Sequence, residues 1–458
     1  MERPIYNMLE QAAKRMSLHM PAGQGKAPFG QVDLYRLDTT ELDVTDDLYS
    51  PKGAIAQAQQ LAAKSAGAAE TLMLHGGSTA GIHAMLLYSA KRGETVILPR
   101  NVHISAIHIC ATAGIMPAFT QPSYTPTGRP YTTIQSYMDA MDQNPSARAV
   151  LVVRPDYYGA LEPLAQIVEQ AHKRGMLVLC DEAHGAYFNW DKHTDNAGAC
   201  GADLFVQSAH KTLPALGAGA WLHAMDGVDI VRLRRLLRMV QTSSPSFVNM
   251  LSLDDARAWM DEYGGAACEK LRAAMVRFHR KASSLGYHDA QDESGMDYDP
   301  LRLVLYAPQG GFELGEALAQ MGIDVELCDD RRIACILSLM DGEERLDKLY
   351  EALSQIQNSA GSSSAKTSNY QGLSALPIPP RDMPLSVAAF AEAESVALSE
   401  AVGRISAVQV GFYPPGIALL AAGERITDEL VACLEASQLS HIFGINDDGT
   451  LSCVQKEA

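Results

Sequence analysis

The stretch ARAVLVVRPDYYGALEPLAQIVEQAHKRGMLVLCD (147–181) decides the fold class of this 458-residue chain. Two short apolar runs, at 147–153 and 176–181, flank an amphipathic segment that ends in basic residues and Gly175. Short apolar runs are typical of buried strands, and the segment between them is typical of a helix with a glycine stop. The order strand, helix, strand predicts a βαβ unit whose two strands lie parallel in one sheet.

Further apolar runs repeat this pattern on both sides of the stretch. We predict strands at 95–99, 203–208 and 219–225 and a helix at 133–144. The alternation predicts an α/β fold, with a mostly parallel sheet and helices on both faces. Ligands of such sheets bind at the carboxyl ends of the strands, so the residues that directly follow each strand are the first candidates for a functional site.

The rest of the chain divides by composition and periodicity. A smaller α/β pattern precedes a segment rich in Ser, Gly and Pro, which predicts a linker. We also predict a long helical stretch over 228–284 and a helix over 385–403. The predicted parts are an N-terminal arm (1–30), a large domain (31–285), a small α/β domain (286–356), the linker (357–383) and a C-terminal subdomain (384–458).

Composition and charge exclude several classes of protein. Apolar residues make up 47% of the chain, which is too many for a disordered protein. The net charge of −17 argues against nucleic acid or an anionic membrane surface as the partner. The sequence contains neither a signal-peptide core nor a run of about 20 apolar residues, and the predicted location is the cytoplasm. Its eight cysteines are scattered without metal-ligand spacing, so we predict free thiols and no metal site.

Two segments that follow strands contain candidate binding groups. In LHGGSTAGIHAMLLY (74–88), Ser78 and Thr79 open a helix, where free backbone N–H groups and hydroxyls can hold a phosphate. The alternative is an ordinary capped helix. In DEAHGAYF (181–188), Asp181 and Glu182 point to opposite faces. An acid at this position can be a metal ligand, a base, the partner of a protonated ring nitrogen, or only a turn residue.

Two further segments supply a lysine and a flat ring. In VQSAHKTLPALGAGAWLH (206–223), Lys211 stands among apolar residues beside His210, which predicts a lowered lysine pKa. A lysine of this kind is what Schiff-base chemistry requires, and an exposed loop lysine is the alternative. In RNVHISAIH (100–108), the ring of His103 can stack on a bound ring or be merely structural. A phosphate cradle, a lysine, a carboxylate and a flat ring together indicate pyridoxal phosphate. The GxGxxG pattern of a nicotinamide site is absent.

These motifs resemble those of the Orn/Lys/Arg decarboxylase family, fold-type-I pyridoxal-phosphate enzymes that act on basic amino acids. The length is similar to that of the short form without an N-terminal wing domain. The matching stretches span nearly the whole chain: 38–59, GGSTAG (76–81), LPRNVHIS (98–105), RPDYYGALEPL (154–164), DEAHGAYF, VQSAHKTLPAL, LLRMVQTSSPSF (236–247) and 403–426.

The resemblance implies a role for each candidate residue. Lys211 would form the Schiff base, Asp181 would pair with the pyridine nitrogen, and His103 would stack on the ring. Ala183 would lie against the other ring face with His184 close by. The residues implied to surround the phosphate are Ser78, Thr79, Ala80, Ser208 and His210, with Thr242 and Ser243 reaching it across a dimer interface. The resemblance therefore implies a homodimer or a higher assembly of dimers.

Three departures from the family pattern bear on the substrate. LHMPAGQGKAPF (18–29) replaces the usual HxPGHK-type segment, Ala209 replaces a common Thr, and GAGAW (217–221) replaces a usual Thr-Gln pair. We expect any pocket wall that they form to be roomier and less polar. The predicted reaction is decarboxylation of lysine, arginine or ornithine to the amine and CO₂. The alternatives are an aminotransferase or lyase on the same fold, or a catalytically weak paralogue with a binding role.

Overall fold

The structure is a computed structural model that describes residues 3–30, 32–42, 44–125, 130–290, 295–359, 376–412, 417–436 and 442–455. The N-terminal segment carries only short elements: α1 (Pro4–Ala12), β1 (Met16–Leu18) and α2 (Leu34–Leu37). Among the described residues, every helix is too short or too polar to cross a membrane.

A seven-stranded sheet forms the centre of the molecule. The elements from 54 to 224 are α3 (Ala54–Ala66), β2 (Glu70–Leu74), α4 (Gly77–Ser89), β3 (Thr95–Leu98), α5 (Ile104–Ala113), β4 (Met116–Phe119), β5 (Ser123–Tyr124), β6 (Pro130–Tyr131), α6 (Ile134–Gln143), β7 (Ala149–Val153), β8 (Ala160–Leu161), α7 (Leu164–Lys173), β9 (Leu177–Asp181), β10 (Leu204–Gln207), α8 (Ala209–Thr212) and β11 (Ala220–Ala224). The strand order is β2-β11-β10-β9-β7-β3-β4, and β11 alone runs antiparallel to its neighbours in this sheet. The mostly parallel α/β sheet predicted from the sequence is confirmed.

The sheet forms where apolar runs are buried on both faces. The inner strands β7, β9 and β10 are almost wholly buried, with separate apolar clusters on the two sides. β4 was not predicted, because it is a half-exposed edge strand that contains Pro117. Residues 160 and 161 form the short strand β8, and helix α7 begins after it, at Leu164.

The predicted helical stretch over 228–284 is divided into α9 (Ile230–Val240), α10 (Phe247–Trp259) and α11 (Gly265–Ser283). Helix α9 ends before the segment TSSPS, and the Ser246 side chain caps α10 by accepting a hydrogen bond from the Asn249 N–H. A single π-turn, Met260–Gly264, joins α10 to α11. Serine and proline therefore interrupt a pattern whose periodicity alone indicated continuity.

The region predicted as the small α/β domain has a sheet of its own. Its elements are β12 (His288–Asp289), β13 (Asp297–Tyr298), β14 (Leu303–Tyr306), α12 (Gly311–Gln320), β15 (Ile323–Val325), β16 (Leu327–Cys328), β17 (Arg332–Cys335) and α13 (Gly342–Ser359). The antiparallel strand order is β12-β14-β17-β16. Strand β1 pairs in parallel with β15, so the N-terminal arm is attached to this domain. Helix α13 extends to Ser359, past the predicted start of the linker at 357, and residues 360–375 of that linker lie outside the described residues.

The C-terminal region contains α14 (Leu385–Ala388), β18 (Ala393–Ala397), β19 (Val410–Phe412), β20 (Ile417–Leu420), α15 (Asp428–Ala436), β21 (Ile442–Phe443) and β22 (Thr450–Val454). The predicted helix over 385–403 is wrong beyond its first turn, because residues 393–397 pair antiparallel with β22. Ala and Glu favour helix locally, and the pairing with a distant strand overrides that preference. A buried ion pair of 2.7 Å between Arg100 Nη2 and Glu424 Oε2 attaches this region to the large domain.

Candidate active site

A cavity of about 590 Å³ opens at the carboxyl ends of the central strands, where the sheet topology predicts a ligand site. The segments after β2, β3, β7, β9 and β10 all contribute to its wall. Eight of the predicted site residues line it: Ser78, Thr79, His103, Asp181, Ala183, His184, His210 and Lys211. The other four, Ala80, Ser208, Thr242 and Ser243, do not line it in the single chain.

The first turn of α4 provides backbone donors at one end of the cavity. The N-cap is Gly76, which has no side chain to accept hydrogen bonds from the N–H groups of that turn. Gly77 has a φ of 65°, a conformation that favours glycine, and both glycines line the cavity with Ser78 and Thr79. Backbone N–H groups at a helix start, together with two hydroxyls, form a suitable site for a phosphate. Ala80 is buried behind them and packs in the core.

Ser208 lies behind the cavity wall, at the N-cap of α8. Its side chain is fully buried, and its Oγ has no hydrogen-bond partner among the described residues. A buried hydroxyl without a partner is costly, which favours a bound acceptor at this position. The donor set of Ser208, Ser78, Thr79 and the α4 N-terminus therefore fits the phosphate of pyridoxal phosphate.

Lys211 lies on α8, and its Nζ is 3.1 Å from Nε2 of His184. Burial lowers the pKa of Lys211, and Arg302 lowers it further, whereas Asp181 and Glu326 oppose this change. The direction is the one expected from the apolar sequence around the lysine. A lysine with reduced basicity carries a larger fraction of neutral, nucleophilic amine near neutral pH.

The adjacent acids Asp181 and Glu182 face different surroundings, as strand alternation predicts. Asp181 lines the cavity, and its Oδ1 accepts a hydrogen bond of 3.1 Å from the Ala183 N–H. Glu182 is fully buried; its Oε2 accepts a 2.6 Å hydrogen bond from Gln207, and its Oε1 is 3.5 Å from Arg154. Burial raises the pKa of Glu182 to about 8 in spite of Arg154. Only Asp181 is therefore placed to meet a ligand.

His103 is the N-cap residue of α5. Its Nδ1 accepts a hydrogen bond of 3.2 Å from the Ser105 N–H, which places the ring proton on Nε2 when the ring is neutral. Burial is the main cause of a lowered pKa at His103, with Lys211 and His108 adding to it against Asp181. A flat neutral ring thus lies in the cavity wall that also holds Lys211 and Asp181.

Several residues of the site were not identified from the sequence. Asp156, Tyr157 and Tyr158 line the cavity after β7, and applying the strand-end rule to the run at 147–153 would have found them. Phe443 reaches the cavity from the C-terminal region, and Arg302 approaches His184 from the small domain. No local pattern marks these two residues, because their positions depend on how separate domains pack.

A larger cleft of about 990 Å³ lies beside the site, and most of the 18–29 segment and Gly217 of the GAGAW run line it. Its wall includes His19, Pro21 and Lys26 of the 18–29 segment, none of which lines the smaller cavity. Of the GAGAW run, only Ala218 lines the smaller cavity. The 18–29 segment instead supports the lysine turn from behind, since the Ala22 N–H donates a 2.8 Å hydrogen bond to the carbonyl of His210.

Sequence comparison identifies the family. Residues 16–277 match the family model "Orn/Lys/Arg decarboxylase, major domain", and residues 367–441 match "Orn/Lys/Arg decarboxylase, C-terminal domain". The chain belongs to the Orn/Lys/Arg decarboxylase family. Members of this decarboxylase family are pyridoxal-phosphate-dependent lyases, so the predicted enzyme class is confirmed.

Individual relatives are similar to this chain over nearly its full length. The chain is 33% identical to "Uncharacterized protein YaaO" of Bacillus subtilis (strain 168), covering 97% of this chain and 96% of that protein. It is 32% identical to "Arginine decarboxylase" of the same organism, covering 98% and 94%. The solved structure of lysine decarboxylase A from Pseudomonas aeruginosa superposes with a TM-score of 0.80 at 20% identity, covering 98% of this chain and 80% of that one. The predicted fold-type-I architecture is confirmed.

Proposed function

We propose that this protein decarboxylates a basic L-amino acid with pyridoxal phosphate, and releases the corresponding amine and CO₂. The single observation that carries the proposal is the position of Lys211, whose pKa is lowered, in one cavity wall with Asp181 and His103. Family membership supports decarboxylation over the transamination or lyase chemistry that the same fold can host.

The described residues offer a partner for each part of the cofactor. Lys211 would bind the aldehyde carbon and Asp181 the pyridine nitrogen. His103 and Ala183 would lie on the two ring faces, and the α4 N-terminus with Ser208 and His210 would hold the phosphate. When bound, the cofactor supplies the electron sink that decarboxylation requires.

The protein's own groups control protons and orientation. The Asp181 carboxylate is buried and fixed by the Ala183 N–H, so it can keep a cationic N–H donor in place. The imidazole of His103 is held by Ser105, which fixes the plane that it presents to a bound ring. Burial lowers the pKa of Lys211, so a larger fraction of its Nζ is the neutral amine that can accept a proton.

We propose a substrate with a cationic side chain, and arginine as the first candidate. Asp156 provides a second carboxylate in the cavity wall, and the net charge of the chain is −17. The relative named arginine decarboxylase is 32% identical, whereas the aligned lysine decarboxylase structure is 20% identical. Lysine follows arginine closely in this proposal, and ornithine comes third.

We also propose that the enzyme acts as a homodimer or a higher assembly of dimers. Thr242 and Ser243 are exposed and lie outside the cavity, so a second copy is needed if they are to reach a phosphate. The N-terminal segment exposes large apolar side chains, including Ile5, Met8 and Tyr35, the last of which is 96% exposed. An exposed apolar surface of this kind favours association.

The decisive experiment is a panel of L-amino acids assayed for CO₂ release with purified, cofactor-loaded protein. Arginine, lysine and ornithine are compared with leucine and phenylalanine as uncharged controls, and keto-acid formation is measured in parallel. Faster turnover of a basic amino acid with CO₂ release supports the proposal. Keto-acid formation without CO₂, or faster turnover of both controls than of all three basic substrates, would contradict it.

A further inference from the structure

The ring of His184 bridges the candidate cofactor lysine and an arginine of the small domain. Its Nε2 is 3.1 Å from Nζ of Lys211, and its Nδ1 is 3.0 Å from Nη2 of Arg302. The ring is 4% exposed, and the Tyr157 ring packs against it with centroids 4.7 Å apart. His184 therefore has a fixed position between a lysine and an arginine side chain.

The hydrogen-bond chemistry of these three groups allows one proton arrangement. A guanidinium only donates, so the Nδ1 that faces Arg302 must accept. A neutral imidazole that accepts at Nδ1 carries its proton on Nε2, and this Nε2–H points to Lys211. Lys211 can accept that hydrogen bond only as a neutral amine with a lone pair. An ammonium at Lys211 would meet an N–H donor at 3.1 Å.

We propose that His184 is a positioning residue. The hydrogen bond from Arg302 to Nδ1 fixes the ring proton on Nε2, and the Nε2–H donates to Lys211 and so keeps the Lys211 amine neutral. The proposal rests on the function of Lys211 proposed above and assigns a cause to its reactivity. Arg302 lies just before β14, so the small domain must be packed in place for the lysine to be neutral.

Other groups that face Lys211 act in opposite directions, and the Tyr157 ring, with its centroid 5.8 Å from Nζ, favours the ammonium form. Asp181, at the end of β9, and Glu326, between β15 and β16, both favour the ammonium form. Arg302 disfavours that form by charge. Burial lowers the pKa values of His184, His103 and His210, so these rings are neutral at pH 7 and add no positive charge. The lowering of the Lys211 pKa therefore depends on burial, on the charge of Arg302 and on the N–H donor of His184.

The test measures the protonation of Lys211 without relying on turnover. The full-length protein, freed of cofactor and shown by circular dichroism to remain folded, is labelled with trace acetic anhydride from pH 6 to 11. Peptide mass spectrometry gives the labelling of Lys211 relative to the exposed Lys52 as internal standard. Because only the neutral amine reacts, each unit by which the lysine pKa rises above the pH of labelling reduces the labelling by about tenfold.

Two His184 variants distinguish the effect of the N–H donor from the effect of losing the imidazole ring. His184→Gln keeps an N–H that can reach Lys211, whereas His184→Asn keeps contact with Arg302 but is too short to reach Lys211. We expect Asn to reduce Lys211 labelling at pH 8 by about tenfold, and Gln to reduce it by less than threefold. The matched control is His172→Asn on the exposed face of α7, which should leave the labelling unchanged. Equal labelling in wild type and His184→Asn, or equal loss in Asn and Gln, would overturn the proposal.

Arg302 provides an independent test if a His184 variant fails to fold. Arg302→Lys keeps a donor for Nδ1 and should label as wild type does, whereas Arg302→Met frees the ring to turn its acceptor towards Lys211. Part of the loss of Lys211 labelling in Arg302→Met comes directly from removal of the arginine charge. The same substitution is therefore also made in the His184→Asn background. A smaller loss in that background supports transmission through the ring, and an unchanged loss refutes it. Turnover is not the readout, so an inactive protein would contradict the proposed function without affecting this result.

Discussion

The larger cleft and the smaller cavity, both beside α8, differ in the chemistry of the side chains that line them, and their volumes do not show this difference. The larger cleft, about 990 Å³, is lined in large part by the N-terminal segment, and some of its charges form ion pairs, as in the 3.0 Å pair of Lys26 with Asp341. The smaller cavity, about 590 Å³, gathers side chains from five strand ends, including a lysine with a lowered pKa. Convergent polar groups with perturbed pKa values identify a site better than size does.

The largest effect expected from this contrast concerns the two lysines. Lys211→Ala removes the only group in the proposal that can bond to the cofactor, and we expect turnover to fall by at least about a thousandfold. Lys26→Ala in the larger cleft should keep turnover within about twofold, because it removes only a half-exposed ion pair. CO₂ release at saturating arginine measures both variants. Wild-type turnover in Lys211→Ala would invalidate the mechanism.

The second expected effect compares the two acids at the end of β9. Asp181→Asn should fold normally and lose about 10²- to 10³-fold in kcat, because a neutral amide cannot hold a cationic ring N–H in the same way. Glu182→Gln keeps a neutral side chain in the same buried position and should lose only a few-fold. Steady-state kinetics on both purified proteins tests this prediction. A larger loss in Glu182→Gln than in Asp181→Asn would reverse our assignment of the two faces.

A third expected effect appears in stability rather than activity. The pKa of Glu182 is about 8 in the folded chain against an ordinary value of 4.5, so the folded state holds a proton that the unfolded state has lost between these values. Stability from this group is therefore fully present below about pH 4.5 and is lost as the pH rises towards 8. Urea unfolding at fixed protein concentration from pH 5 to 8 should show this decline, and Glu182→Gln should flatten it. The slope is at most about 1.4 kcal/mol per pH unit, and identical slopes in both proteins would contradict the prediction.

Those parts of the fold and site that depend on local pattern could be predicted from the sequence. Strands such as β9 and β10 are apolar and short. Asp181 ends β9 and Lys211 lies on α8 just beyond β10, so the strand-end rule identified both. The segment that becomes β18 could not be predicted, because AESVA favours helix locally and becomes a strand only by pairing with β22. Arg302 could not be placed either, since 118 residues separate it from His184 and domain packing alone brings them together.

The smallest expected effect tests whether the smaller cavity is complete within one chain. Thr242 lies on the exposed segment after α9, outside both regions, and the resemblance implies that it reaches the phosphate of the neighbouring subunit. Loss of one such hydrogen bond should weaken cofactor binding by about fivefold, since a net hydrogen bond contributes about 1 kcal/mol. Titration of cofactor-free Thr242→Ala with pyridoxal phosphate measures this change, and Thr112→Ala on the exposed face of α5 is the matched control.

Hybrid dimers of Lys211→Ala and Thr242→Ala subunits then distinguish a site that is shared between subunits from an effect of Thr242 within its own chain. If Thr242 acts across the interface, the one site that keeps Lys211 receives its Thr242 from the Lys211→Ala subunit, and it should bind cofactor with wild-type affinity. If Thr242 acts within its own chain, that same site carries the defect and keeps the weaker affinity. An active monomer by analytical ultracentrifugation would contradict the shared site altogether, and the smaller cavity would then be complete in a single copy of the chain.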